Sequence, residues 1–143
     1  MFETIYGWFV SMFGYDLDRY LLGWCCEEEA WIFSNQYLKY GVIALCIALS
    51  VTLVYYYVID HPRFIRWWHW LLMLLLVSFS NFFIGGRATL GDLNSGNIGE
   101  CFNVFPSDCW MFGLANFFVS AMFFIIFSFC LKWWSTSGKR TPF

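Results

Sequence analysis

The chain has 143 residues, of which 60% are hydrophobic, 24% are aromatic and only 13% are charged. About a quarter of the residues of a soluble domain are charged, so this composition excludes an ordinary soluble protein and predicts one embedded in membrane lipid. The net charge is −2, and the eight Lys and Arg residues form no basic run of the kind that nucleic acid requires. We therefore expect membrane lipid around the protein and no nucleic-acid partner.

The first 36 residues are predicted to lie outside the hydrocarbon core. Residues 1–15 are rich in aromatic side chains, but a helix of this length spans about 22 Å, which is too short for a core of about 30 Å. We interpret it as an amphipathic helix that is interfacial or re-entrant, with Tyr6 and Trp8 at headgroup level. The acidic segment that follows contains Glu27, Glu28 and Glu29. These carboxylates form either a solvated face or, in a symmetric oligomer, an outer acidic ring that attracts cations.

Three long apolar segments predict transmembrane helices at about residues 38–59, 67–86 and 110–131. The predicted fold is an all-α integral membrane protein, a single membrane domain over residues 1–143. Its segments are an N-terminal part (1–36), a first span (37–59), a hinge (60–66), a second span (67–86), an outer loop (87–109), a third span (110–131) and a tail (132–143).

The first predicted span has a stripe of small residues on one face, spaced at i, i+3, i+7 and i+11: Gly41, Ala44, Ala48 and Thr52. Small side chains allow the backbone of another helix to approach closely in lipid, where helices associate by packing. The stripe therefore predicts a helix-packing face, either within one chain or between subunits.

Polar side chains recur on one face of each of the other two spans. Ser78 and Asn81 lie in the second, and Asn116 and Ser120 lie in the third, where Phe124 and Phe127 continue the same face. An Asn side chain in the membrane needs a hydrogen-bond partner, so it points into the bundle or toward water. In a ring of subunits these six residues could line a pore, with the two Phe side chains as a gate that closes by dewetting. Alternatively, the polar residues bond neighbouring helices.

The distribution of Lys and Arg predicts the orientation in the membrane. The hinge and the tail contain five of the eight basic residues: Arg63, Arg66, Lys132, Lys139 and Arg140. We expect both segments to be cytoplasmic and the N-terminus to be extracytoplasmic, in the inner (plasma) membrane of a bacterium. The hinge residues Asp60, His61, Arg63 and Arg66, together with the tail, are then the expected contact for a cytosolic or membrane protein partner or an activating signal.

Four of the six cysteines lie on the predicted outer side, where disulfides persist: Cys25, Cys26, Cys101 and Cys109. They predict a small disulfide-bonded extracytoplasmic cap. The pairing is either Cys101–Cys109, or two bridges from the pair at 25 and 26 to the outer loop. Their spacing does not match a zinc site, and we expect no metal and no cofactor.

The sequence contains no nucleophile elbow, phosphate loop, zinc-protease motif or redox C-x-x-C pair, so we expect no enzymatic activity. The first functional interpretation is a homo-oligomer that forms an ion-conducting or membrane-permeabilising pore. The alternative is a non-catalytic structural or regulatory subunit of a larger membrane complex. The size of the chain is similar to that of membrane effectors in bacterial anti-phage systems, an analogy of size alone.

Overall fold

The computed structural model describes residues 2–25, 30–31, 35–58, 67–96, 98 and 102–132. Three short helices, α1 (Phe2–Gly7), α2 (Val10–Phe13) and α3 (Tyr15–Leu22), come first. A minimal antiparallel hairpin of β1 (Trp24–Cys25) and β2 (Ala30–Trp31) follows, in which Trp24 pairs with Trp31. Three long helices complete the fold: α4 (Gln36–Leu53), which continues as a π-helical turn (Val54–Val58), α5 (Trp67–Asn94) and α6 (Pro106–Lys132).

The three long helices confirm the predicted all-helical class with three membrane-length segments. Each is long and apolar enough to cross a membrane: Gln36–Tyr57 has 22 residues, Trp67–Asn94 has 28 and Pro106–Leu131 has 26. Several predicted features lie outside the described residues. They are the acidic ring of Glu27, Glu28 and Glu29, the hinge residues Asp60, His61, Arg63 and Arg66, and the tail residues Lys139 and Arg140.

Helix α5 extends eight residues beyond the predicted end of the second span, to Asn94. The Gly-rich sequence suggested a loop here, but Thr89 is fully buried and its hydroxyl donates to the carbonyl of Gly85 at 2.9 Å. Ala88 and Leu93 pack against the core, so burial on one face outweighs the low helix propensity of glycine.

Helix α6 begins four residues earlier than predicted. Pro106 occupies its first turn, where the missing N–H costs nothing. The backbone N–H of Phe105 donates to the carboxylate of Asp108 at 3.0 Å, which caps the start of the helix. This earlier start places Cys109 inside the helix, where its side chain is buried.

Helix α6 is the centre of the bundle. It packs against α5 along one side and against α4 along another, whereas α4 and α5 make little contact with each other. The N-terminal helices α1 and α2 contact α4 and α6. Most of the large buried side chains therefore surround α6 near its start: Tyr6, Phe13, Leu17, Leu21, Tyr37 and Phe112.

The N-terminal segment is not the single helix that was expected over residues 1–15. It is broken between α1 and α2 at Trp8 and Phe9. Tyr6 is fully buried inside the protein while Trp8 is 69% exposed, so of these two rings only that of Trp8 is free to contact lipid headgroups. The physical reason is an apolar stripe with helical spacing: Phe2, Tyr6, Val10, Phe13 and Leu17 all pack toward the bundle.

The structure does not support the disulfide-bonded cap. Cys109 is a free, fully buried thiol on the side of α6 that meets α5, where its backbone carbonyl lies 3.5 Å from the hydroxyl of Thr89. Both pairings that the sequence allowed include Cys109, so a free Cys109 supports neither of them. Cys26, Cys101 and the side chain of Cys25 lie outside the described part of the chain.

Candidate functional site: a polar seam inside the bundle

Ser78, Asn81, Asn116 and Ser120 form a buried row that we call the polar seam; all four are at most 2% exposed. Contacts on either side of the row place it between α5 and α6. The indole Nε1 of Trp70 donates to Ser128 Oγ at 3.1 Å at one end. At the other end Gly85 abuts Asn116. Because the two helices run antiparallel between these points, the seam residues of each face the other.

Close approach of the two backbones depends on glycine. A Cβ atom added at Gly113 would lie 2.8 Å from the carbonyl oxygen of Phe82 and 3.2 Å from the nitrogen of Gly86. A Cβ atom at Gly85 would lie 2.1 Å from Asn116 Nδ2. The seam is therefore tightly closed at its Gly85–Gly113 end, with small residues bringing the helices together as they do in membrane bundles.

Most hydrogen bonds of the seam return to the backbone of the same helix. Asn81 Nδ2 donates to the carbonyl of Val77 at 3.1 Å, and Ser120 Oγ donates to the carbonyl of Phe117 at 3.0 Å. This pattern satisfies a polar side chain in an apolar environment without a ligand or solvent. Two buried atoms differ: Ser78 Oγ and Asn116 Nδ2 have no hydrogen-bond partner among the described residues.

Tyr6 completes the site from outside the two helices. Its hydroxyl donates to Asn116 Oδ1, and its ring stacks on Tyr37, with ring centroids 5.1 Å apart. This contact is not predicted from the sequence, in which Tyr6 is expected at the membrane surface. The signal that could have revealed it is the apolar stripe from Phe2 to Leu17, which continues through Tyr20 and Leu21.

The two Phe residues of the suggested gate lie on the side of α6 that faces the rest of the chain. Phe124 is fully buried with Ala48 and Val77, and its ring lies 5.8 Å from that of Trp70. Phe127 is half-buried and stacks on Phe123 at 6.5 Å. Within one chain both side chains fill space between helices.

The stripe of small residues on α4 also packs within the chain. Gly41, Ala44, Ala48 and Thr52 are all buried. The ring of Phe2 sits over Gly41, where an added Cβ would come within 2.3 Å of it. Ala48 packs with Val77 and Phe124, and the hydroxyl of Thr52 donates to the carbonyl of Ala48.

Carboxylates near the N-terminal segment act as acceptors for tyrosine and amide groups. The hydroxyl of Tyr37 donates to Asp18 at 2.5 Å, and Asn35 Nδ2 donates to Glu3. Burial, reinforced by a hydrogen bond with Asp92, raises the pKa of Tyr20 well above its usual value. The Tyr20 hydroxyl therefore stays protonated as a donor.

No group of three or more His, Cys, Asp or Glu side chains that could hold a metal ion occurs within the described ranges.

Comparison of the chain with protein-family models, with curated proteins and with solved structures finds no match. The function of the protein must therefore be inferred from the geometry of the seam and from the surface of the bundle.

Proposed function

We propose that the protein is a non-catalytic structural or regulatory subunit of a membrane complex. The observation that supports this is the direction of its polar side chains. The seam residues face inward within one chain, whereas the exposed positions of α5 between residues 72 and 84 are all apolar: Leu72, Leu75, Leu76, Phe79, Phe83 and Ile84. Such a surface suits lipid or other membrane proteins, and it offers no polar wall for an aqueous lumen.

A homo-oligomeric, ion-conducting or membrane-permeabilising pore is the second candidate. It is favoured by Ser78 Oγ and Asn116 Nδ2, which are buried and have no hydrogen-bond partner in the described part of the chain. An unsatisfied buried polar group costs about 1–3 kcal/mol, so a rearrangement that hydrated both atoms in a shared lumen would recover that energy. A permeabilising effector of bacterial defence, suggested by the size of the chain alone, would belong to this candidate.

Ion flux from liposomes distinguishes the two candidates. For a subunit, purified protein in potassium-loaded liposomes should give the same flux as protein-free liposomes, with a particle mass that excludes a closed ring. The Phe124→Ala variant should leave that flux unchanged. A pore gated by Phe124 instead predicts a flux at least about tenfold higher in this variant, because an apolar constriction is removed.

The matched control for the flux experiment is Phe129→Ala, since Phe129 lies on the same helix but is 63% exposed. Two results would contradict the subunit proposal and favour the pore. One is a potassium flux with the wild-type protein above that of protein-free liposomes, and the other is a flux that rises in Phe124→Ala and not in Phe129→Ala.

The proposed orientation has the N-terminus outside and the C-terminus in the cytoplasm, in the inner (plasma) membrane of a bacterium. It is supported by the five basic residues of the hinge and the tail. In this orientation the hinge and tail face cytosolic partners. The connection between α5 and α6 lies outside with the N-terminal segment, which it contacts through Ile98 and through Phe102 beside Tyr20.

A further inference from the structure

Residues 2–13, which contain α1 and α2, fill a groove between α4 and α6. Their aromatic rings pack on successive rings of α6: Phe13 on Phe112, Phe9 on Phe118 and Phe2 on Phe123, with centroids 5.4, 5.9 and 6.2 Å apart. On the α4 side, the ring of Phe2 fills the notch at Gly41. Together these contacts cover about three turns of α6.

The segment makes a polar contact in the groove with the side chain of Asn116. Asn116 lies ten residues after the start of α6, about 15 Å along the helix. The hydroxyl of Tyr6 donates to Asn116 Oδ1, so the segment reaches the polar seam from the side. Without Tyr6, Asn116 Oδ1 would lose the hydrogen-bond donor that the docked segment supplies.

Several features make the segment separable from the three long helices. Helices α1 and α2 have six and four residues, well below the length at which an isolated helix is stable, so their form depends on docking. Gly14 follows them with φ at 88°, a backbone conformation that other residues rarely adopt. Trp8 and Tyr15 are 69% and 74% exposed, and such rings favour the membrane–water interface.

The docked state also contains an energetic cost. Asn116 Nδ2 stays buried, with no hydrogen-bond partner among the residues that the structure describes, while the Tyr6 hydroxyl bonds to Oδ1. Withdrawal of the segment would open the groove and free both ends of the amide for other polar partners. Aromatic packing and one hydrogen bond thus favour docking, whereas the unsatisfied N–H of Asn116 and the exposed ring of Trp8 favour release.

We propose that residues 2–13 form a releasable latch that closes the groove between α4 and α6. In the closed state the latch shields Asn116 and the neighbouring part of the polar seam. In the open state the segment moves to the membrane surface, and Asn116 becomes accessible from the side of the bundle. This device is independent of whether the protein acts as a subunit or as a pore.

Hydrogen–deuterium exchange of the full chain in lipid nanodiscs tests the latch. In the wild type, amides of residues 2–13 should exchange more slowly than an unstructured peptide and faster than the middle of α5. Tyr6→Phe keeps the ring and removes the hydroxyl, so exchange in residues 2–13 should accelerate about fivefold, the effect of one buried hydrogen bond. Gly41→Ala should accelerate the same amides, because the added methyl group displaces the ring of Phe2.

Two control variants match these changes. Tyr15→Phe alters an exposed tyrosine at the start of α3, and Gly91→Ala adds a methyl group that has no atom of the described residues within 4 Å. Neither variant should alter exchange of residues 2–13. The proposal is overturned if Tyr6→Phe and Tyr15→Phe behave alike, or if the test variants accelerate α4, α5 and α6 by the same factor. The latter result would mean that the segment opens only with the whole bundle. If Tyr6→Phe does not fold, the exchange of residues 2–13 in Gly41→Ala, compared with Gly91→Ala, tests the latch by itself.

Discussion

Single side chains in this protein are organised by the need to satisfy polar groups in an apolar environment. Asn81, Ser120 and Thr89 each donate to a carbonyl one turn earlier on their own helix. Such local hydrogen bonds need little distortion of the helix, and they leave the opposing helix free to pack. The contact between α5 and α6 then depends on residues without side chains, above all on Gly113.

Substitution of Gly113 by Ala should lower the free energy of unfolding by about 1–3 kcal/mol, the usual cost of overpacking. The added methyl group would lie 2.8 Å from the carbonyl oxygen of Phe82 and 3.2 Å from the nitrogen of Gly86. Both are backbone atoms in α5, so neither can turn aside as a side chain would. The measurement is the unfolding midpoint in detergent with increasing SDS.

The control for this substitution is Gly91→Ala on α5, where an added Cβ has no atom within 4 Å among the described residues. Alanine favours a helix over glycine by up to about 1 kcal/mol, so this variant should be neutral or more stable. An unchanged midpoint in Gly113→Ala would show that the two backbones are not in close contact.

At the scale of the elements, the helix boundaries decide which side chains are available. The four extra residues at the start of α6 convert Cys109 from a loop residue into a buried helical one. The eight extra residues of α5 supply Thr89 as its neighbour, with the hydroxyl 3.5 Å from the Cys109 carbonyl. Both extensions arise from local caps and one-sided burial, which hydropathy alone does not register.

Cys109 should therefore resist thiol reagents in the folded protein. A variant that keeps only Cys109 should react with maleimide at least about tenfold more slowly than one that keeps only Cys130, which is an exposed free thiol. Denaturation in SDS should remove the difference. Equal labelling in the native state, or a disulfide to Cys109 in non-reducing peptide mass spectrometry of the wild type, would contradict the buried free thiol.

At the scale of the whole molecule, α6 organises the bundle, because both other long helices and the N-terminal segment pack against it. The connection between α5 and α6 meets the N-terminal segment near the start of α6, through Phe102 and Tyr20, whereas Phe2 at the other end of the segment reaches Phe123 further along α6. The hinge and the tail follow the opposite ends of the long helices. The proposed membrane orientation of this arrangement is based on where the basic residues lie in the sequence.

Reporter fusions in a bacterial host test the orientation. A green fluorescent protein fused after Phe143 should fluoresce, and alkaline phosphatase at the same position should be inactive, because Arg63, Arg66, Lys132, Lys139 and Arg140 keep this side in the cytoplasm. Phosphatase inserted after Gly96, in the connection between α5 and α6, should be active. The reverse pattern of activities would refute an extracytoplasmic N-terminus.

Composition and apolar run length were sufficient to predict three membrane-length helices, because a span must exclude charge over about 20 residues wherever it sits. The periodicity of Ser78, Asn81, Asn116 and Ser120 also identified the face of each helix that carries its polar residues. Tertiary structure alone decided what those faces meet. The contact of Tyr6 with Asn116 joins positions 110 residues apart, and the burial of Cys109 depends on α5. Spacing along a chain defines the face of a helix, but the partner of that face depends on which other helix lies against it.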